Sequence, residues 1–281
     1  MVLHPPSIAE GESYPFSLYS EPNSDADPVL RGGQVATSEF IQHSVPLPLY
    51  FKRSMLSAYA RYLDGVVYRT GLGAAGRQAR LIESGRVALL ALFDEPDARE
   101  HLLATRRWTQ RLLRSPGALS WSHLLHDLPR GTEVTDASVR CALFIAALGQ
   151  TGCWAETSQR DLCWAALIHA LGRTLTTTHF VADESQTLLP LVLAAGPISE
   201  QLYGALRFHR EYRDGSGPEG LTNDQVPPAA TYLGIAIYLE QSGVLTRSLV
   251  EMHRYLSENR IQLAALFGRT AVDGIISSIT N

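Results

Sequence analysis

The chain has 281 residues, 45% of them apolar and 19% charged, with 24 basic and 28 acidic side chains and a formal net charge of −4. The charged share falls below the roughly 25% usual for soluble domains, so a large part of the chain is expected to be buried, in one large or two modest domains. A pI near 6.1 argues against a dedicated nucleic-acid binder, and no apolar run reaches the ~18 residues that a bilayer span requires.

The opening stretch MVLHPPSIAEGESY has no basic region followed by an apolar one, so no secretory signal is expected. Residues 1–13 read as a loose terminus. Residues 15–19 alternate as a strand should, and Arg31-Gly32-Gly33 marks a turn. Residues 45–51 contain Pro46 and Pro48, which confine them to an edge strand or an extended segment. A helix is expected from Lys52 to about Leu63, so residues 14–70 read as a small α/β domain.

Residues 71–118 read as linker helices, the second amphipathic over 98–113 and stopped by Ser115-Pro116-Gly117. Residues 138–148 are apolar nearly all round, the mark of a central buried helix, and 162–171 are similar. Over 199–209, Leu202, Ala205, Leu206 and His209 fall at i, i+3, i+4 and i+7, one helical face. A loop rich in Gly, Asp and Pro spans 213–228, and helices are expected at about 229–241 and 245–267. Cys141, Cys153 and Cys163 cannot all pair, and two of them sit in apolar helical patterns. A reduced, cytoplasmic setting is expected.

Several motifs compete for a functional reading. Gly71-Leu72-Gly73-Ala74-Ala75-Gly76 matches GxGxxG, with Asp94 further on, as in dinucleotide-binding turns. That fingerprint needs a strand ending at Asp94, yet residues 79–93 carry helical periodicity, so a hinge is the preferred reading. His126-Asp127 is followed at once by Leu128-Pro129, a helix ending, and reads as a solvated pair; His123 and His126, three apart, can face one way, but no third ligand is evident near them. No GxSxG, CxxC or HExxH occurs, leaving serine-hydrolase elbows, thiol–zinc sites and zincins without support.

The informative segments come later: AALIHALGR, which places His169 in a buried helix, and HREYRDGSGPEGL, which begins at His209. They resemble the AALLHDIGK and HHExxDGSGYPxGL motifs of the HD-GYP family, bacterial metal-dependent phosphodiesterases that hydrolyse cyclic di-GMP. The resemblance covers roughly residues 133–265. FSLY, VLRGG and LYF, ahead of a helix ending AYARYL, are similar to the small domain of some members. The fold so implied is mainly α: an HD-type helical bundle, with residues 119–281 as a degenerate HD-GYP domain behind a small N-terminal α/β domain. In the family the bundle centre holds two or three iron or manganese ions, and metal-bound hydroxide attacks a phosphate.

Against that pattern the chain departs at most ligand positions. Ala137 stands where the family has its first histidine, Ala170 for the bridging aspartate, Arg210 for the second histidine of HHE, and Ile237 for the last aspartate. His169 and His209 remain, with Glu133 and Glu184 near other ligand positions. A two-metal site needs carboxylates to offset charge and fix geometry, and a guanidinium repels cations. The resemblance with these departures implies a catalytically inactive, cytoplasmic signalling protein without catalytic residues. Its cofactor would be none, or at most one weakly held iron or manganese ion.

The family contacts partners through the loop around GYP, which points here to Asp214, Gly215, Ser216, Gly217, Pro218 and Gly220 as a surface for a signalling protein. Arg173 and Arg210 are candidates for the phosphates of cyclic di-GMP, weighed against Arg210 pairing with Glu211 or Asp214. A homodimer stays open, as do two other functions: a metal-dependent cyclic di-GMP phosphodiesterase with a rebuilt site, and dinucleotide binding through residues 71–76.

Overall fold

A computed structural model describes residues 2–3, 10–21, 27–44, 49–66, 74–96, 99–114, 133–150, 156–179 and 184–280. The chain divides into two compact units, residues 1–95 and 96–281. His123, His126, Asp127, Cys153, Gly71 and Gly73 lie outside the described residues.

Unit 1 contains β1 (Val2–Leu3), β2 (Leu49–Tyr50) and three helices, α1 (Ser38–Ser44), α2 (Leu56–Val66) and α3 (Ala74–Asp94). The segment expected as a strand over 15–19 makes isolated bridges, Leu18 with Leu30 and Tyr19 with Tyr50. Its hydrogen bonds run from Leu18 N to Leu30 O at 2.8 Å and from Val29 N to Leu18 O at 2.8 Å. Just after Leu30 the chain turns at Gly33, φ +82°, and a Cβ on Gly32 would lie 3.2 Å from the Phe16 backbone. Phe16, Phe51 and Tyr59 meet edge to face or tilted, with centroids 5.0 to 5.3 Å apart. Such packing adds about 0.5–1.5 kcal/mol per pair beyond area burial.

The N-terminal stretch read as loose is held at both ends of its described part. Val2 and Leu3 pair antiparallel with Tyr50 and Leu49. Glu12 is buried, and its carboxylate takes both ends of the fully buried Arg80 guanidinium on α3, one bond being Nη1 to Oε1 at 2.6 Å. Tyr62 Oη donates to the same carboxylate at 3.1 Å. Composition alone does not reveal a terminus held by one buried charge.

α3 runs unbroken to Asp94, whose Oδ1 accepts from Arg53 Nε at 2.9 Å. The strand that a dinucleotide fold would end there is a helix.

Unit 2 holds α4 (Arg99–Arg114), α5 (Val134–Gln150), α6 (Glu156–His179), α7 (Glu184–Ala195), α8 (Glu200–Phe208), α9 (Pro228–Gln241), α10 (Leu249–Glu258), α11 (Arg260–Phe267) and α12 (Arg269–Thr280). α5 is buried from Thr135 to Gly149 except at Ala137, which is half-buried. α6 packs against α4, α5, α7, α8 and α9 and is the centre of the bundle. Gln159 Nε2 donates to Ala146 O at 3.0 Å, and the close approach leaves no room for a side chain on Gly149.

The single helix expected over 245–267 is two. α10 begins with a Ser248/Glu251 capping box and ends at Asn259, whose side chain donates to Tyr255 O at 2.8 Å. α11 stops at Gly268, at φ +87°, a conformation glycine adopts without a Cβ clash.

Candidate functional site

α6 and α8 bring the two histidines together. His169 is half-buried within α6, and His209 is buried on the residue that caps α8. Their ring centroids are 6.2 Å apart with planes at 70°. Each ring is held by its own helix: His169 Nδ1 lies 2.7 Å from Ala166 O and His209 Nδ1 lies 3.1 Å from Leu206 O. A carbonyl oxygen only accepts, so Nδ1 is the donor in both, and in the neutral ring Nε2 carries the lone pair. A second-sphere carbonyl fixes metal-ligating histidines in this same tautomer.

Among the described residues, the sequence-predicted positions around the pair lie as follows. Ala170, next to His169, ends in a buried methyl group. Ile237 lies on α9 three residues after Gly234, on the same helical face. At Gly234 the backbone passes so close to His209 that a Cβ would lie 2.9 Å from its carbonyl oxygen. Arg210 is exposed, as is Glu133 ahead of α5. Arg173 lies in α6 and Glu184 opens α7, with side chains outside the described set. Among the described residues no group of three or more His, Cys, Asp and Glu side chains comes together to hold a metal ion. The methyl group of Ala170 and the aliphatic side chain of Ile237 offer no donor atom, and two imidazoles alone do not fit a two-metal centre, which depends on carboxylates.

The loop after His209 is built around a residue the sequence reading gave no anchoring role. Glu211 is buried, and its carboxylate accepts Glu219 N–H at 2.7 Å and Leu221 N–H at 3.0 Å. Asp214 Oδ1 accepts from Ser216 N at 2.9 Å and from Ser216 Oγ at 2.6 Å. Those bonds, the side-chain one first, hold the Asp214 carboxyl below its ordinary value. Both carboxylates weighed as partners for Arg210 also bond within the loop. Gly215 and Gly220 take φ +82° and +67°, and Arg207 reaches Glu219 at 2.5 Å. At the loop's base Arg213 N donates to Leu266 O at 2.7 Å. Asp214, Ser216, Pro218 and Gly220 are exposed on this frame, with Gly215 and Gly217 partly covered. The one available signal for Glu211 was its place beside His209 in the motif.

No family model and no curated protein matches the sequence. Among solved structures, the chain superposes along its whole length on Bd1817, a HDG"Y"P protein from Bdellovibrio bacteriovorus. The TM-score is 0.69 at 14% identity, covering 100% of this chain and 99% of that one. The likeness establishes the HD-GYP fold, and the mainly helical bundle expected from the sequence is the one observed. No helix among the described residues is long and apolar enough to cross a membrane.

Proposed function

We propose that this chain is a signalling protein of HD-GYP fold that does not hydrolyse phosphodiesters and acts through contacts made by the loop over residues 214–221. The observation that supports this reading most is the pairing of His169 and His209 with Ala170, Ile237 and Arg210 where the resemblance calls for ligands. The retained loop complements it. The buried Glu211 carboxylate orders the loop before any partner arrives, which lowers the ordering cost of association.

Metal analysis of protein purified after growth with added iron and manganese tests the first half. Less than one ion per chain and no cyclic di-GMP hydrolysis are expected; two tightly held ions with turnover would establish the rebuilt phosphodiesterase instead. The second half is read in the source cell. A copy carrying His169→Ala and His209→Ala is expected to retain wild-type function, and one carrying Ser216→Arg and Pro218→Glu to lose it.

The exposed guanidinium of Arg210, next to His209, favours a second reading in which cyclic di-GMP is bound without hydrolysis, with Arg173 as the other phosphate contact. Calorimetry with cyclic di-GMP on wild type and Arg210→Ala decides it; no heat with wild type removes this reading.

A further inference from the structure

Apart from the histidine pair, unit 2 holds a pocket of about 600 Å³ where the N-terminal parts of α6 and α9 meet α8. That size lies within the ~300–1,000 Å³ typical of small-molecule sites. Neither histidine lines it. Its wall is chiefly apolar, with Leu162 from α6, Tyr203 and Phe208 from α8, and Pro227 and Tyr232 at the start of α9. Tyr203 is 42% exposed, so its ring stands at the mouth. Among the described residues that line the pocket, the charged one is Glu200, in the first turn of α8.

The N-termini of all three helices border this space, and free N–H groups there would favour an anion. At α8 and α9 part of that donor set is already used or missing. Ser199 Oγ accepts Leu202 N–H at 3.1 Å, capping α8. α9 begins at Pro228 behind a Pro227 cap, and proline has no N–H to give. Those losses weaken the pull on an anion, while Glu200 and the negative faces of Tyr203 and Tyr232 attract cations; Phe208 already has the Arg207 guanidinium 5.8 Å from its ring centroid.

We infer that this pocket binds a small organic cation with an apolar body, an arylalkylammonium in chemical class. Its ring packs against Tyr203, Phe208 and Tyr232, and its ammonium group faces Glu200. The inference is independent of whether the histidine pair binds metal.

The experiment uses the full chain and three probes that share one body and differ in head charge: 4-phenylbutylammonium, 4-phenylbutanol and 4-phenylbutanoate, followed by ligand-observed NMR titration. The ammonium is expected to bind about tenfold tighter than the alcohol, and the carboxylate weakest. Glu200→Gln lowers the ammonium to the level of the alcohol and leaves the alcohol unchanged. Tyr203→Ala, at an exposed position where folding is retained, weakens ammonium and alcohol alike. Equal binding of the three probes, preference for the carboxylate, undiminished ammonium binding in Glu200→Gln, or no saturation at millimolar concentration would each overturn the inference.

Discussion

Arg140 and Glu240 face each other across α5 and α9 as a two-point ion pair. Nε donates to Oε2 at 2.9 Å and Nη2 to Oε1 at 2.5 Å, with only 3% and 12% of the two side chains exposed. Both helices border the histidine-bearing α6, so the pair fixes the spacing of the site's outer walls. Removing one partner leaves the other charge buried, which costs about 3–5 kcal/mol. Glu240→Ala is therefore expected to lower unfolding stability by about that amount in urea titration. Arg140→Met with Glu240→Leu should recover most of it, because two well-packed apolar side chains leave no charge stranded. A loss in Glu240→Ala within experimental error of zero would show that the pair is screened.

The same region predicts thiol behaviour. Cys141 lies against Ala236 O, and burial pushes its thiol well above the ordinary value, with Glu240 adding and Arg140 offsetting part. Burial likewise raises Cys163. The thiolate is the reactive form, so in a Cys153→Ser variant neither remaining cysteine should react with a thiol reagent at neutral pH until denaturant is added. Rapid labelling of the native variant would contradict the buried placement of both.

The Glu211 brace gives a local readout. Glu211→Ala strands two amide donors, on Glu219 and Leu221, and their hydrogen exchange should accelerate by about tenfold or more while the bundle core is unaffected. Gly217→Ala acts from the other side. A Cβ there would lie 2.6 Å from both Glu211 Cα and Oε2, so the loop must move and a protease cut should appear between residues 211 and 222. Unchanged exchange in both variants would detach Glu211 from loop order.

Acid sensitivity follows from α11 and α12. Asp273 accepts from Arg260 Nε at 2.6 Å and from Nη2 at 2.7 Å, and these bonds hold its carboxyl below its ordinary 3.8. A depressed carboxylate stabilises the fold above its unfolded pKa, and that contribution fades as pH falls through the folded value. The contact should therefore be intact above about pH 4 and weaken below it. Carbon-detected NMR titration is expected to give Asp273 a midpoint below 3.8, which Arg260→Ala moves back upward. An identical midpoint in both proteins would remove the coupling.

Helices were legible either from one apolar face, as in α4 and α8, or from a run apolar nearly all round, as in α5 and α9; all four lie within a few residues of expectation. The break at Asn259 was not, because Leu256 and Leu263 keep one face apolar across it. What stops the helix is a local backbone turn. The histidine pair could be anticipated from the two motifs, each of which ends in a recognisable pattern. The role of Glu211 could not, since its partners are main-chain N–H groups that leave no trace in residue identity. The pocket at Glu200 was hidden for a related reason: its walls come from three helices far apart in sequence, none with a motif of its own.

The Glu12–Arg80 pair spans 68 residues of sequence, and that separation sets an order of events on the ribosome. Glu12 is synthesised long before Arg80, and domains complete as their last element emerges. Until α3 is made, the carboxylate lacks its guanidinium partner, and Tyr14, Phe16 and Tyr59 lack the side of their core that Val87 and Ala91 supply. Unit 1 thus matures in one late step timed by the translation of α3, and a translational pause just ahead of that helix would leave its aromatic cluster bare to chaperones.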